Sequence, residues 1–218
     1  MINIKNISKK YKKSKDEVTI LDNISISFLS GESYIIAGKN GVGKSTFLSI
    51  ISGYATPDSG IVACNGNIGY IPQYDYLFED LTVIDNINFW VKAVNTNMKQ
   101  IEKYIQMFDI QNYFKKRVKN LSGGMKKSVA ICTSLIHNPD IIIMDEPFSG
   151  LDPFYKEKLL NLMSYFKTQN KCIIYTSHSI DEIMGLQSEI YLLKNKKLEY
   201  KGNTKSIDSI ENLMNIFS

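Results

Sequence analysis

The sequence predicts an α/β fold with a parallel sheet between layers, an antiparallel sheet at its start and an inserted helical lobe. Short and nearly continuous apolar runs at Ser33–Ala37, Ile141–Met144 and Cys172–Thr176 are typical of parallel strands that are covered on both faces. Isoleucines alternate with serines up to Phe28, which indicates a half-buried strand. Two consecutive helical patterns without a strand between them indicate an insertion over about residues 76–135.

The other elements follow in chain order. Ile2, Ile4 and Ile7 predict an edge strand of the opening antiparallel sheet. A helix over Lys44–Ser52 can end at Gly53, since glycine adopts the left-handed conformation readily. Later elements are a helix capped by Thr82 that runs to Val94, a helix over Met98–Phe108, a helix over Pro153–Lys167, a hairpin over Glu189–Lys201 that turns at Asn195 and Lys196, and a short amphipathic helix over Asp208–Phe217.

These elements fit one domain over residues 1–218. Its expected parts are an α/β core with the antiparallel subdomain (1–75 and 136–205), a helical subdomain (76–135) and a short C-terminal helix (206–218). At 218 residues and 44% hydrophobic content, the chain can bury a sizeable core.

Composition argues against several classes of protein. The net charge of +4 is mild and Arg117 is the single arginine, whereas nucleic-acid readers commonly use arginine forks, so no nucleic-acid partner is expected. Three scattered cysteines give neither a disulfide framework nor a zinc spacing, and they fit a reducing cytosol. No signal-peptide core and no run of about 18 apolar residues can be drawn, so a membrane role is expected to go through another chain.

The stretch GKNGVGKST, between the strand YIIA and the helical pattern TFLSII, matches the phosphate loop G-x-x-x-x-G-K-[ST]. Its glycines let backbone N–H groups and the helix N-terminus face a β-phosphate, Lys44 can reach the β- and γ-oxygens, and Ser45 can ligate Mg²⁺. The alternative is a flexible glycine turn with a solvated lysine. The candidate nucleotide-binding residues of this stretch are Gly38, Asn40, Gly41, Gly43, Lys44, Ser45 and Thr46.

Two adjacent acids end another predicted strand, in IIIMDEP. Asp145 can hold Mg²⁺ through a water, and Glu146 can act as the general base that polarises an attacking water. Alternatively, the two carboxylates could cap the next helix. Together with the phosphate loop they indicate a P-loop NTPase.

The motif LSGGM, followed by a helical pattern, resembles the signature motif of ATP-binding cassette (ABC) proteins. A Ser-Gly-Gly turn at a helix start is a second anion-binding end, or else an ordinary helix cap. Gln73 in YIPQYD resembles the family's Q-loop, SGLD ending at Asp152 its D-loop, and His178 in TSHS its switch histidine. Taken singly, these residues could be a surface amide, a helix cap and a strand-end histidine. Taken together, they stand in family order along almost the whole chain.

The resemblance implies a RecA-like core in which two head-to-tail domains enclose two ATP molecules, so a second copy or a paralogue is expected. It implies ATP and Mg²⁺ as ligands. Its expected residues are Lys44, Gln73, Glu146 and His178 for catalysis, Ser45, Gln73 and Asp145 for the metal, Ser122, Gly123 and Gly124 for the γ-phosphate of the other subunit, and Tyr11 for adenine. Tyr11 could also be a surface filler.

The expected function is the ATPase subunit of a transporter, in the cytoplasm and peripheral on the membrane through a separate permease. The compact length without an extended C-terminal domain resembles export systems more than importers. One alternative is a non-transport ABC ATPase that activates a membrane complex mechanically, and another is a ribosome- or DNA-associated protein. Gln187, Ser188 and Glu189 stand where many relatives carry Ala-Asp-Arg, which puts local packing in doubt.

Overall fold

A computed structural model describes residues 1–13, 16–74, 76–177 and 180–206. The strands are β1 (Ile2–Lys13), β2 (Asp16–Phe28), β3 (Ser33–Ala37), β4 (Ser59–Cys64), β5 (Ile68–Ile71), β6 (Ile141–Met144), β7 (Cys172–Ser177), β8 (Glu189–Lys194) and β9 (Lys197–Asn203). The α-helices are α1 (Lys44–Ile51), α2 (Val83–Ala93), α3 (Glu102–Met107), α4 (Gly123–Ser134), α5 (Pro153–Thr168) and α6 (Ile180–Met184). The predicted helix over Asp208–Phe217 lies outside the described residues.

An antiparallel sheet opens the chain, with strand order β2-β1-β4. The prediction that Ile2, Ile4 and Ile7 form an edge strand is wrong, because β1 lies in the middle and pairs with both neighbours. The burial of all three isoleucines fits that central position. The third strand, β4, escaped prediction because its side chains are mostly exposed and carry no clear apolar alternation.

The second sheet has six strands in the order β5-β6-β7-β3-β8-β9. Its first five strands are parallel, and β9 runs antiparallel to β8. Every residue of β3, β6 and β7 is buried, as predicted for strands covered on both faces. The predicted hairpin is also confirmed: it turns through left-handed Asn195 and Lys196, with φ of 50° and 68°.

Side chains that alternate along the buried strands build a core on each face of the six-stranded sheet. Ile35 and Ala37 of β3 join the cluster that contains α2 to α5. Tyr34 and Ile36 of the same strand join a second cluster with α1 and the antiparallel sheet. Because successive side chains of the strand point to opposite faces, the parallel sheet packs against one layer on each face.

Between β5 and β6 the described residues are helical or in loops, apart from one isolated antiparallel bridge between Thr82 and Arg117. Thr82 caps α2, as predicted, by accepting a hydrogen bond from the Asp85 amide. The predicted continuous helix over Met98–Phe108 is broken into a 3₁₀ turn (Met98–Gln100) and α3, since the Asn97 side chain accepts from the Lys99 amide and starts a separate turn. The limits of a helical subdomain at 76 and 135 stay a prediction.

Ser188 is held by hydrogen bonds to the hydroxyl groups of two neighbouring side chains. Its Oγ donates to Ser33 Oγ over 2.8 Å, and its amide donates to Thr204 Oγ1 over 3.0 Å. Buried hydrogen bonds thus join this segment to its surroundings. Across the described ranges, no helix combines the length and apolarity needed to cross a membrane.

Candidate nucleotide-binding site

The carboxyl ends of the parallel strands bring the predicted motifs to one edge of the sheet. The phosphate loop follows β3, the acid pair follows β6, and Gln73 follows β5. A cavity of about 300 Å³ opens there, lined by Tyr11, Ile20, Asn40, Gly41, Gly43, Lys44, Ser45, Thr46, Gln73 and Glu146. Apart from Ile20, every lining residue is one that the sequence marks as a candidate site residue. Crevices at this end of parallel sheets are usual ligand sites in α/β folds.

Two glycines give the phosphate loop its shape. Gly41 has a φ of 77° and Gly43 a φ of 113°, a conformation that side-chain-bearing residues rarely adopt. A Cβ at Gly43 would also lie 2.6 Å from Ile20 Cγ2, so the loop passes against β2. The Gly43 carbonyl accepts from the Phe47 amide, which begins α1 directly behind the loop. The helix N-terminus therefore faces the cavity, as anion binding requires.

Lys44 is folded back into this loop. Its side chain is 4% exposed, and Nζ donates to the carbonyls of Gly38 (2.8 Å) and Lys39 (3.1 Å). Nζ also lies 3.8 Å from Glu146 Oε1. Burial lowers the pKa of Lys44, and the charges of Glu146 and Asp145 partly oppose that shift. The ammonium is thus a desolvated cation at the cavity wall, suited to an anionic ligand.

The acid pair lies where the chain leaves the sheet. Asp145 is 2% exposed and its Oδ1 accepts from Thr176 Oγ1 over 2.7 Å. Glu146 has a φ of 45°, its amide donates to the same Thr176 Oγ1 over 2.7 Å, and Gln73 Nε2 donates to its Oε2 over 3.2 Å. Neither acid caps the next helix, because Asp152 caps α5 by accepting from the Tyr155 amide.

Sequence reasoning missed two residues that hold the site. Thr176, on β7, contacts both acids through one hydroxyl. Lys127, on α4, is 6% exposed, and its Nζ donates to the carbonyls of Pro72 (3.0 Å) and Gln73 (3.3 Å). A lysine on the apolar face of a helix pattern was the available signal for Lys127, because a buried ammonium needs acceptors.

The structure does not bring the signature turn to this cavity. Ser122 caps α4, with its Oγ accepting from the Met125 amide over 3.3 Å, and both Ser122 and Gly123 are exposed. Gly124 is buried, and a Cβ there would lie 2.3 Å from Tyr155 Cδ2. LSGGM thus forms a second, outward-facing helix end, separate from the cavity of its own chain. His178, the predicted switch histidine, lies outside the described residues.

Tyr11 projects from β1 at the rim of the cavity. It is 47% exposed, and Lys9 Nζ lies 5.6 Å from its ring centroid. A half-exposed ring beside a phosphate loop offers a free face to a purine. The stacking role itself stays a prediction.

The predicted metal ligands Ser45, Gln73 and Asp145 offer oxygen donors of three kinds. Ser45 and Gln73 line the cavity, and Asp145 is the buried acid next to Glu146. The part of the chain that the structure describes holds no group of three or more His, Cys, Asp or Glu side chains placed to bind a metal. Mg²⁺ commonly uses one or two protein oxygens together with waters and substrate phosphates, so a hydroxyl, an amide and one carboxylate fit it.

The family comparison decides the assignment. The model of the ABC transporter family matches residues 21–149, more than half of the chain. The chain belongs to the ABC transporter family. It is an ATP-binding subunit with the ATPase fold of that family, which confirms the resemblance seen in LSGGM.

Curated ABC relatives align along most of the chain. An uncharacterised ABC transporter ATP-binding protein of Methanocaldococcus jannaschii is 34% identical over 94% of this chain and 79% of its own length. A taurine import ATP-binding protein of Pelagibacter ubique is 33% identical over 86% of this chain and 76% of its own. A lantibiotic transport ATP-binding protein of Streptococcus pyogenes is 30% identical over 100% of this chain and 96% of its own.

A solved ABC structure has the same fold. It is a dimeric ATP-binding cassette in a post-hydrolysis state, bound to ADP and Pi. The TM-score is 0.84 at 25% identity, over 93% of this chain and 98% of that one. The match confirms the predicted α/β class with its P-loop core and supports the assignment of this chain as an ATPase.

Proposed function

We propose that this chain and a second copy or a paralogue enclose MgATP between the phosphate loop of one and the LSGGM turn of the other. Closure and hydrolysis then drive transport through a separate membrane permease. The observation that carries the proposal is the division of the site. One cavity holds the phosphate loop, Gln73 and Glu146, while Ser122 and Gly123 are exposed outside it. A γ-phosphate in the cavity needs further hydrogen-bond donors, and the signature turn of the same chain lies outside the cavity and cannot supply them.

The protein groups have separate tasks at the reacting phosphate. The loop amides and the Lys44 ammonium bind the phosphate oxygens and stabilise the charge that develops on them. Glu146 orients the attacking water and accepts its proton, and Gln73 fixes the Glu146 carboxylate through Oε2. Ser45, Gln73 and Asp145 would hold Mg²⁺, which when bound neutralises charge on the β- and γ-phosphate oxygens. His178 is proposed to stabilise the transferring group.

Transmission to the permease is proposed to start at Gln73. Lys127 joins the carbonyls of Pro72 and Gln73 to α4, the helix that begins at the signature turn. Beyond Gln73 lies an aromatic cluster, defined as Tyr76, Phe78, Phe89 and Trp90, whose rings contact one another. Phe78 and Phe89 are 42% and 46% exposed, and large exposed apolar side chains in one patch are typical of protein-protein contacts.

Mixed dimers test the shared site. Lys44→Ala removes the phosphate cation and Ser122→Arg blocks the signature turn, so each pure variant is expected to lose turnover. In a 1:1 mixture, mixed dimers hold one site with an intact phosphate loop and an intact signature, so turnover should partly return. A mixture of Lys44→Ala with the double variant Lys44→Ala/Ser122→Arg is the control, because it contains no intact site. If the first mixture is no more active than the control, the shared site is refuted.

Site-specific cross-linking tests the permease contact. A photoreactive residue in place of Phe89 should capture a membrane-spanning protein in membranes of the source cell, whereas the same residue in place of Tyr200 should not. Tyr200 is a matched control, since it is an exposed aromatic residue (57%) on β9. Equal capture at both positions would argue against a specific docking surface.

We propose export as the direction of transport, in line with the sequence prediction. The names of the relatives include taurine import and lantibiotic transport, so they do not choose the direction. Inverted membrane vesicles have their cytoplasmic face outward, and added ATP should therefore drive uptake of a solute by an exporter. ATP-driven release of a preloaded solute would indicate import, and turnover without any solute movement would favour the non-transport activator.

A further inference from the structure

Thr176 occupies an unusual position between the two acids of the site. It is fully buried in β7, paired with Ile36 of β3. Its Oγ1 accepts a hydrogen bond from the Glu146 amide (2.7 Å) and donates a hydrogen bond to Asp145 Oδ1 (2.7 Å). One hydroxyl therefore holds the backbone of one acid and the carboxylate of the other.

The backbone at Glu146 needs such support. Its φ of 45° is in the left-handed region, which is disfavoured for residues with a Cβ. The Asp145 amide still pairs with the Ile71 carbonyl, so the chain turns away from the sheet at Glu146 itself. The Ser149 amide holds the Glu146 carbonyl, and the Thr176 hydroxyl holds the Glu146 amide. Strained backbone of this kind persists when its surroundings fix it, and it is common at active sites.

We propose that Thr176 is a positioning residue for hydrolysis. Its one hydroxyl fixes the backbone of Glu146, and with it the Glu146 carboxylate in the cavity, and it holds the Asp145 carboxylate beside Glu146. The proposal rests on the proposed function in one respect, the role of Glu146 as the general base. Without the hydroxyl, the part-buried Glu146 N–H and a buried Asp145 carboxylate oxygen each lose a partner. The backbone at Glu146 then relaxes, and the carboxylate moves away from Gln73 and from the attacking water.

Isosteric variants of the full chain separate this role from stability. Thr176→Val keeps the volume and removes the hydroxyl, and Thr176→Ser keeps the hydroxyl. Thr204→Val is the matched control, because Thr204 is also buried, accepts a hydrogen bond from a backbone amide (Ser188) and donates one to an oxygen (the Leu186 carbonyl). Thr204 begins the 3₁₀ turn (Thr204–Ser206) after β9 and does not line the cavity. Phosphate release from MgATP gives kcat and KM, and NMR hydrogen exchange gives the protection of the Glu146 amide.

The expected result is specific to the Val variant at position 176. Its kcat falls about tenfold or more while KM stays within about twofold, because orientation is lost but nucleotide binding is not. The Glu146 amide exchanges faster in Thr176→Val and stays protected in Thr176→Ser, which keeps wild-type kcat within about threefold. Thr204→Val leaves both readouts unchanged.

Several outcomes would overturn the role of Thr176. These are a wild-type kcat in Thr176→Val, unchanged exchange of the Glu146 amide, or equal losses in Thr204→Val. Glu146→Gln, measured alongside, keeps the two proposals apart. If Glu146→Gln retains turnover, the general base of the proposed function is wrong. If Glu146→Gln is inactive and Thr176→Val is normal, only the positioning role fails.

Discussion

Neighbouring glycines of the signature turn should respond oppositely to the same substitution. A Cβ at Gly124 would lie 2.3 Å from Tyr155 Cδ2 and 2.8 Å from Cγ and Cε2. A Cβ at Gly123 would meet a single atom within 4 Å, the Gly150 carbonyl oxygen at 3.9 Å. Neither glycine has a left-handed φ, so the difference between them is one of space.

The magnitudes follow from these contacts. Gly124→Ala forces the Tyr155 ring or the start of α4 to move, and overpacking of this kind lowers the free energy of unfolding by about 1–3 kcal/mol. Gly123→Ala fills open space in the first turn of α4, where alanine is the better helix former, so the change is within about 1 kcal/mol and favourable in sign. Urea denaturation without nucleotide measures both values.

A double variant identifies the cause. Tyr155→Ala removes the ring that the new methyl group would meet, so Gly124→Ala should lower the free energy of unfolding less in the Tyr155→Ala background than in the wild type. The coupling free energy between the two substitutions should be about 1 kcal/mol or more. Equal stabilities of Gly123→Ala and Gly124→Ala, or additive effects of Gly124→Ala and Tyr155→Ala, would refute this account of Gly124.

Three further predictions concern Lys44, Lys127 and Thr82. Lys44→Met should abolish stabilisation by ATP in thermal unfolding, and the nucleotide-free stability of the wild type relative to Lys44→Met should rise at alkaline pH. The reason is that burial lowers the pKa of Lys44 from 10.5, so the wild type gains stability relative to Lys44→Met only as pH rises from that lowered pKa toward 10.5. Lys127→Met leaves the carbonyls of Pro72 and Gln73 without their donor, so it should lower the free energy of unfolding, measured in urea, by about 1–3 kcal/mol. It should also speed proteolysis of the segment after β5. Thr82→Ala removes the side-chain cap of α2 and should lower the free energy of unfolding in urea by about 1 kcal/mol, whereas Thr82→Ser keeps the cap and should change it little.

Motifs that depend on local backbone were predictable. The phosphate loop needs glycines at fixed positions between a strand and a helix, and the structure has Gly38 and Gly43 there, both with positive φ (152° and 113°). The acid pair was placed because parallel strands end at a common edge, which also explains why Gln73 and Glu146 line one cavity. The hairpin at Asn195 was equally local.

Contacts between distant segments were not predictable. β4 is exposed and gives no periodic signal, so the central position of β1 could not be seen. Thr176 lies 31 residues from Asp145 along the chain, and Lys127 lies 55 residues from Pro72. Gly124 was interpreted as an anion-binding glycine, and its contact with Tyr155 depends on how α4 and α5 pack. In each case tertiary packing determines which residues come into contact, and their spacing along the sequence does not predict it.

The mass of the ATP-loaded chain tests the shared nucleotide site most directly. Glu146→Gln should bind MgATP without hydrolysing it, and light scattering after size exclusion should then give twice the 24.8 kDa of one chain. The double variant Glu146→Gln/Ser122→Arg should stay at the mass of one chain, because its signature turn cannot reach the γ-phosphate of a partner. A single-chain mass for Glu146→Gln with MgATP, or a dimer that tolerates Ser122→Arg, would contradict the account.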